Sequence, residues 1–105
     1  MTVHIQAIHF DISERLTDFI NKKAERLGRH YPDLDTFDVT LKVVKPETAM
    51  NKEATIRVTM PGAYEMIGNK IADTFEEAVD TAIEAIERQL EKKKTQKGRT
   101  LNEEG

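Results

Sequence analysis

The sequence contains no cysteine, no apolar run of membrane-spanning length and only one serine. Without cysteine, a disulfide framework and a thiolate zinc site are excluded, and a reducing compartment is the natural environment. A membrane-spanning helix needs about 20 consecutive apolar residues, and no stretch of this chain approaches that length. Residues 1–6 also lack the basic and then apolar order of a signal peptide. These absences predict a cytoplasmic protein with no membrane partner.

The residue patterns of catalysis and metal binding are missing as well. His4 and His9 flank the first predicted strand on opposite faces, and no two histidines have the i, i+4 spacing of a helical metal site. The one serine, Ser13, is placed to cap a helix, and no glycine-rich phosphate loop occurs. We therefore expect a protein that is not an enzyme, binds no metal or cofactor and has no small-molecule substrate.

The chain is long enough for one domain with one modest core, and its overall charge is acidic. Of its 105 residues, 38% are hydrophobic and 33% are charged, with a net charge of −3. That sum argues against a uniformly basic nucleic-acid-binding protein. Because affinity for phosphate depends on local charge, the distribution of charge along the chain matters more than its sum.

Hydrophobic periodicity divides the chain into strands and helices. Alternating apolar residues predict strands at 3–8, 37–43, 53–60 and 64–71, of which the last is weakened by Gly68. Helical spacing predicts one helix that begins at Ser13 and is ended by Gly28 and, later, by Tyr31-Pro32-Asp33. A second helix begins at Asp73 or Thr74, since both fit a capping box, and is expected to fade near Lys94.

Together these elements predict an α+β fold in the order β-α-β-β-β-α. The last three strands are joined by short connections and should pair antiparallel. Each helix has one apolar stripe and the sheet has one apolar face, so both helices should pack on that face of the four-stranded sheet. The domain is expected to span 1–94 and to be followed by a mobile tail, 95–105, which is almost free of apolar residues.

The second predicted helix is polarised in charge. Residues 76–87 include five acidic residues and no basic one, whereas residues 88–99 include six basic residues and one acidic residue. Acids near the start and bases near the end of a helix suit its dipole, but that effect is confined to about one turn at each end. The dipole therefore explains only part of the long basic run.

The first predicted helix carries a basic stripe. At about 100° per residue, Arg15, Lys22, Arg26 and Arg29 fall within a sector roughly 60° wide. If the helices pack side by side, this stripe and the basic end of the second helix form one patch that binds phosphates through counterion release. Each stripe taken singly is equally compatible with a merely solvated helix face.

Several segments of the sequence resemble one known family. They are Phe37-Asp38-Val39-Thr40-Leu41-Lys42-Val43-Val44-Lys45, Glu53-Ala54-Thr55-Ile56, Ile86-Glu87-Arg88-Gln89-Leu90-Glu91-Lys92, and Ile12-Ser13 followed by Lys23, Arg26-Leu27 and Arg29. In order and spacing they resemble the ribosome hibernation promoting factor and ribosome-associated inhibitor family, over residues 1 to about 97. The Arg-Gln-Leu triplet with spaced lysines after it is the family's most recognisable motif.

The resemblance implies a fold, a partner and a set of binding residues. The fold has two near-parallel helices on one face of a four-stranded sheet. The partner is the small ribosomal subunit, bound in the channel of messenger and transfer RNA, where a protein that is monomeric off the ribosome blocks translation in starved or stationary cells by steric occlusion. Basic side chains on both helices would contact ribosomal RNA. Those that match by position are Lys23, Arg26, Arg29, Arg88, Lys92 and Lys94, and secondary candidates are Lys22, Lys93, Lys97 and Arg99.

The sequence departs from the family at the start of the second helix, and the residues themselves leave two other functions open. Thr74-Phe75-Glu76 stands where the family often has Asp-Met-Tyr, and Gln96 stands where a base is common. Two helices over a small sheet also occur in double-stranded RNA readers, so the partner could be another structured RNA. The exposed sheet face or the acidic half of the second helix could instead bind a protein.

Overall fold

The computed structural model describes residues 1–44, 49–62 and 64–104, and it describes side chains as far as residue 92. The strands are β1 (Thr2–Ile8), β2 (Thr36–Val43), β3 (Lys52–Met60) and β4 (Tyr64–Ala72), and the helices are α1 (Glu14–His30) and α2 (Phe75–Glu104). The order β-α-β-β-β-α confirms the predicted α+β fold. Within the described residues, no helix combines the length and the apolar character needed to cross a membrane.

The four strands form one mixed sheet in the order β1-β2-β3-β4. β1 pairs parallel with β2, whereas β2 pairs with β3 and β3 with β4 in the predicted antiparallel way. A parallel pair needs a crossover connection, which α1 supplies between β1 and β2. One row across the sheet consists of Ile5, Val39, Ile56 and Gly68. This register places one apolar residue set on a single face.

That apolar face is covered by both helices. Phe37, Val39 and Leu41 of β2 are at most 1% exposed, while Lys42 on the opposite face is exposed. Strand side chains alternate between faces, so only one face of the sheet is buried. The helices contribute their apolar stripes to the same cluster, with Leu16, Ile20, Ala24 and Leu27 from α1, and Ala78, Val79, Ala82, Ile83, Ile86 and Leu90 from α2.

Ser13 caps α1 as predicted, and the helix ends at the later of the two predicted signals, directly before Tyr31. The backbone N–H of Leu16 donates to the Ser13 hydroxyl over 3.1 Å, which satisfies one of the otherwise unpaired amides at the helix start. The helix continues through Gly28 to His30, and the N–H of Tyr31 donates to the Leu27 carbonyl at 2.9 Å. Gly28 is therefore a residue of the last helical turn and not its terminator.

Of the two candidate caps for α2, Thr74 is the one used. Its hydroxyl accepts a hydrogen bond from the N–H of Glu77 at 3.1 Å. The carboxylate of Asp73 instead accepts the N–H of Met50, 2.7 Å away, and so ties the start of α2 to the segment before β3. α2 continues to Glu104, so the expectation that this helix fades near Lys94 is wrong. That the tail, 95–105, is mobile stays a prediction.

Gly68 weakens β4 as a strand but brings it close to α2. A Cβ atom at Gly68 would lie 2.5 Å from the carbonyl oxygen of Ala82 and 3.3 Å from Cγ1 of Ile86. No side chain fits in that space without moving the helix backbone. The glycine therefore sets the distance between α2 and the sheet, which in turn fixes the position of α2 beside α1.

Candidate nucleic-acid interface

The two helices lie side by side and run in the same direction. At their starts, the rings of Phe10 and Phe75 stack with centroids 5.0 Å apart and planes 8° from parallel. Further along, Lys23 pairs with Asp80. Past the end of α1, Tyr31 contacts residues still further along α2, so position along one helix rises with position along the other. The predicted near-parallel arrangement is confirmed, and the helices form one layer with a groove between them.

Lys23, the first predicted RNA contact on α1, is held in this groove. Its Nζ atom lies 2.8 Å from Oδ1 of Asp80, and it also lies 5.3 Å from the centroid of the Phe19 ring. The side chains of Lys23 and Asp80 are 30% and 46% exposed. An ion pair this exposed contributes about 0–1 kcal/mol to stability. Its greater effect is to neutralise a cation that was expected to face phosphate.

The groove combines bases of α1 with acids of α2. We call it the interhelical groove, and it is lined by Lys23, Arg26, Leu27, Asp80, Ile83, Glu84 and Glu87. Two bases against three acids leave one net negative charge among these residues. The acidic half of α2 therefore lies opposite the basic stripe of α1, because the helices run in the same direction and start at the same end of the sheet.

Arg29 and Lys22 lie outside the interhelical groove. Arg29 lines a separate depression on the far side of α1, together with Asn21, Glu25 and residues at the start of β1. Lys22 is exposed, as is Arg26 at the rim of the groove. Arg26 and Arg29, which share a stripe on a helical wheel, thus line two different depressions. The basic surface of this helix extends over its outer side.

On α2, the predicted contacts Arg88 and Lys92 follow the acidic segment. Arg88 is exposed and lines a shallow depression with His30, Tyr31, Glu84, Glu87 and Glu91. Lys92 is also exposed. The remaining predicted contacts, Lys93, Lys94, Lys97 and Arg99, lie outside the residues whose side chains the structure describes. Arg88 and Lys92 are therefore the described cations of α2. We call them the second basic flank of the helix layer, and we call Lys22 and Arg29 of α1 the first basic flank.

Tyr31 is an aromatic residue at this end of the groove to which the sequence assigned no role in the site. Burial, the negative charges of Glu91 and Glu87 and a hydrogen bond to Glu91 together raise the pKa of Tyr31 above its ordinary value of 10.0. Next to it, Nδ1 of His30 lies 3.0 Å from the Arg26 carbonyl oxygen. Tyr31 therefore connects the end of α1 to α2 through Glu91, one turn beyond the groove acid Glu87.

The Arg-Gln-Leu triplet of α2 divides its side chains among three environments. Leu90 is buried in the core, Arg88 points to solvent, and the Gln89 side-chain amide donates to the Ile67 carbonyl of β4 at 3.0 Å. The backbone N–H of Asp35, just before β2, donates to the carbonyl of Thr59 in β3. Because both backbone groups of a strand residue point to the same side, the odd-numbered residues of β3 direct theirs toward β2 and away from β4. Ile67, paired with odd-numbered Arg57, therefore directs its carbonyl to the open edge of the sheet, where Gln89 caps it.

The face of the sheet opposite the helices carries charges that pair with one another. Arg57 lies 3.2 Å from Oε2 of Glu65 and 3.6 Å from Oδ2 of Asp38. Asn69 donates to the Thr55 hydroxyl over 2.8 Å. Among the residues that the structure describes, no group of three or more His, Asp or Glu side chains is arranged to hold a metal ion. Arg57 on this face is therefore paired with acids, whereas the exposed cations Lys22, Arg88 and Lys92 of the helix layer take part in no ion pair among the described residues.

The chain is similar to curated proteins named ribosome hibernation promoting factor. It is 29% identical over 94 residues to the one from Pseudomonas putida, which covers 90% of this chain and 87% of that protein. It is 31% identical over 94 residues to the one from Azotobacter vinelandii, which covers 90% of this chain and 83% of that protein.

Two solved structures have the same fold. A ribosomal subunit interface protein from Coxiella burnetii superposes with a TM-score of 0.79 at 21% identity, over 90% of this chain and 99% of that one. The N-terminal domain of Protein Y from Thermus thermophilus superposes with a TM-score of 0.69 at 24% identity, over 85% of this chain and 94% of that one. At these identities the likeness concerns the arrangement of strands and helices.

A family model fixes the relationship over nearly the whole chain. Residues 3–97 match the model described as Sigma 54 modulation protein / S30EA ribosomal protein. The match runs from β1 into α2 and includes every segment on which the sequence resemblance rested. That resemblance is therefore confirmed, and the chain belongs to the Sigma 54 modulation protein / S30EA ribosomal protein family.

Proposed function

We propose that this protein is a ribosome hibernation factor. In this proposal it acts in the cytoplasm, binds the small ribosomal subunit in the channel of messenger and transfer RNA, and inhibits translation in stress or stationary phase by steric occlusion. Its partner is ribosomal RNA, it needs no cofactor, and off the ribosome it is a monomer. The names of its relatives support the ribosome as partner.

One structural observation supports the helix layer as the binding surface. Exposed cations from both helices lie on the layer that faces away from the sheet, with Lys22 and Arg26 on α1 and Arg88 and Lys92 on α2. Neutralising phosphates with such side chains releases counterions, which provides affinity without a deep pocket. Arginine adds bidentate contacts to phosphate oxygens. The helix layer is therefore the face that we assign to ribosomal RNA.

Inhibition by steric occlusion requires only that the protein bind in the channel. A bound domain excludes messenger and transfer RNA from the same space, and the population of blocked subunits follows from mass action alone. Since α1 and α2 share one buried core with the sheet, the two basic flanks are held in a fixed relation. A preorganised surface of this kind avoids the entropic cost of ordering its contacts at the moment of binding.

Co-sedimentation with purified small subunits tests the proposal directly. At low salt the protein should migrate with the subunit, and its affinity should fall steeply as salt is raised. Replacing Lys23, Arg26, Arg88 and Lys92 together with glutamate should abolish co-sedimentation, while the far-UV circular dichroism stays that of the folded protein. A protein that remains at the top of the gradient at low salt refutes the proposal.

A matched pair of single changes assigns the surface. Arg26→Gln removes an exposed cation of the helix layer, whereas Lys42→Gln removes an exposed cation of the opposite sheet face. Arg26→Gln should lower the slope of log affinity against log salt by about one, and Lys42→Gln should leave the slope unchanged. Equal binding to small subunits and to arbitrary duplex RNA would favour a general RNA-binding module. Binding that survives the four-residue change would point to a protein-interaction domain.

A further inference from the structure

The acids of the interhelical groove lie between the two basic flanks of the helix layer. We propose that Asp80, Glu84 and Glu87 are specificity-determining residues, which weaken binding to RNA that places phosphates over the groove. Binding is then restricted to RNA surfaces that present phosphates to both flanks and none to the groove between them. This inference rests on the proposed function and concerns how the same surface selects its RNA.

Asp80 acts first, by occupying Lys23. The carboxylate lies 2.8 Å from the lysine Nζ atom, which is the position that a phosphate oxygen would take. A phosphate that approaches Lys23 has to displace Asp80 and leave its charge without a partner. Lys23 is also held over the Phe19 ring, so it stays near the groove instead of extending toward solvent. An RNA backbone placed along the groove therefore gains little from this cation.

Glu84 and Glu87 extend the same effect along the groove. Glu84 is exposed and Glu87 is half-buried, and both line the groove opposite Arg26. Packed helix axes are about 8–10 Å apart, which is close to the Debye length of about 8 Å at physiological salt. Screening is therefore incomplete across the groove. At about 0.01 M salt, where the Debye length is about 30 Å, a unit repulsion through water across roughly 7 Å weakens phosphate binding about twofold for each acid.

The exposed cations that the structure describes outside the groove on the helix layer are not held in ion pairs as Lys23 is, although Arg88 shares a shallow depression with Glu84, Glu87 and Glu91. Arg88 and Lys92 project beyond the acidic segment of α2, and Lys22 projects from the outer side of α1. In the described part of the chain, none of these three side chains takes part in an ion pair. A duplex laid at random across the helix layer places phosphates over the groove as well as over the flanks. The charge pattern thus favours a shaped RNA surface over an arbitrary one.

The test compares two triple variants that change net charge equally, from −3 to zero. The groove variant is Asp80→Asn/Glu84→Gln/Glu87→Gln. The control is Asp33→Asn/Glu53→Gln/Glu65→Gln, whose changes lie in the turn after α1 and on the sheet face opposite the helices. For each full-length protein, dissociation constants are measured at fixed salt for a random-sequence RNA duplex and for purified small subunits. Circular dichroism confirms that each variant is folded.

At about 0.01 M salt the groove variant should bind the duplex about eightfold more tightly, from three factors of about two. Its selectivity, the ratio of the duplex constant to the subunit constant, should fall by a similar factor, while the control keeps the wild-type ratio. An unchanged duplex affinity, an equal gain in the control, or an equal gain for subunit and duplex would each overturn the inference. If the wild-type protein does not bind subunits, the proposed function fails, but the duplex measurement still decides whether the groove acids repel RNA.

Discussion

At Gly68, β4 lies so close to α2 that a single added methyl group has no room. In Gly68→Ala the new Cβ atom would be 2.5 Å from the Ala82 carbonyl oxygen, while ordinary contacts begin at 3.4 Å. The helix and strand must therefore separate by about 0.9 Å, or the strand must twist away. Forcing extra atoms into a packed interface costs roughly 1–3 kcal/mol. The loss of chain entropy in the unfolded state offsets about 0.4–1 kcal/mol of that cost.

The net expectation is that Gly68→Ala lowers the free energy of unfolding by about 1–2 kcal/mol. Urea denaturation followed by circular dichroism measures this value, and the midpoint should fall by roughly 1 M since small domains have slopes of about 1–3 kcal/mol per molar urea. The melting temperature should fall by several degrees for each kcal/mol lost.

Gly28→Ala is the matched control, because it adds the same methyl group in α1. There the nearest atom is the terminal Cε of Met1 at 3.1 Å, which a flexible side chain can move. Alanine is favoured over glycine inside a helix by about 0.8–1 kcal/mol, so this variant should be as stable as wild type or more stable. The packing argument is wrong if Gly68→Ala matches wild type within error, or if Gly28→Ala is destabilised to the same extent.

Three further changes test the ends and the edge of the fold. Ser13→Ala should cost about 1 kcal/mol in urea denaturation because the amide of Leu16 loses its acceptor, and Ser13→Asp should restore most of it. Gln89→Ala should cost roughly 0.5–1.5 kcal/mol by removing the donor to the Ile67 carbonyl, and the similarly sized Gln89→Glu, which offers no amide, should cost at least as much. The raised pKa of Tyr31 means that the unfolded chain loses this proton first, so its contribution to stability is complete below the unfolded value of 10.0 and is lost as pH rises through the higher folded value. Absorbance titration of tyrosinate should show the late-ionising group disappear in Tyr31→Phe; a wild-type titration with only ordinary pKa values would contradict this.

Hydrophobic periodicity was sufficient to predict the number and order of the strands and helices, because it reports directly on which residues are buried. It did not predict the end of α2, which lies beyond the last described buried residue of that helix. The alternation through Phe37, Val39 and Leu41 predicted β2 within one residue of its start, and the apolar stripes of both helices are the ones that are buried. The N-cap of α1 was predicted correctly because Ser13 was the one candidate for that position. At α2 the choice between Asp73 and Thr74 depended on Met50, which is distant in sequence. The N–H of Met50 donates to the Asp73 carboxylate and so engages it away from the helix start.

The site was predicted less completely, because charge along a chain does not say what faces it across a groove. A helical wheel placed Arg26 and Arg29 in one stripe, yet Arg26 lines the interhelical groove and Arg29 lines a separate depression. The pairing of Lys23 with Asp80 depends on the relative direction of two helices, which in turn depends on the parallel pairing of β1 with β2 and on the close packing at Gly68. Gln89 could be recognised as part of a motif, but its role at the sheet edge required the backbone direction of Ile67.

The position of α2 after the sheet in the chain has a consequence for when the helix layer forms during synthesis. Residues from Ala78 to Leu90 complete the core that also holds α1 in place, so during synthesis the apolar face of the sheet stays uncovered until they have been added. Domains fold as units, and here the unit is incomplete until its final helix is available. The helix layer therefore does not exist on a short nascent chain. Under the proposed function, a nascent chain cannot bind through the helix layer until α2 has been synthesised through Leu90, so the early stages of its own synthesis are free of inhibition in cis.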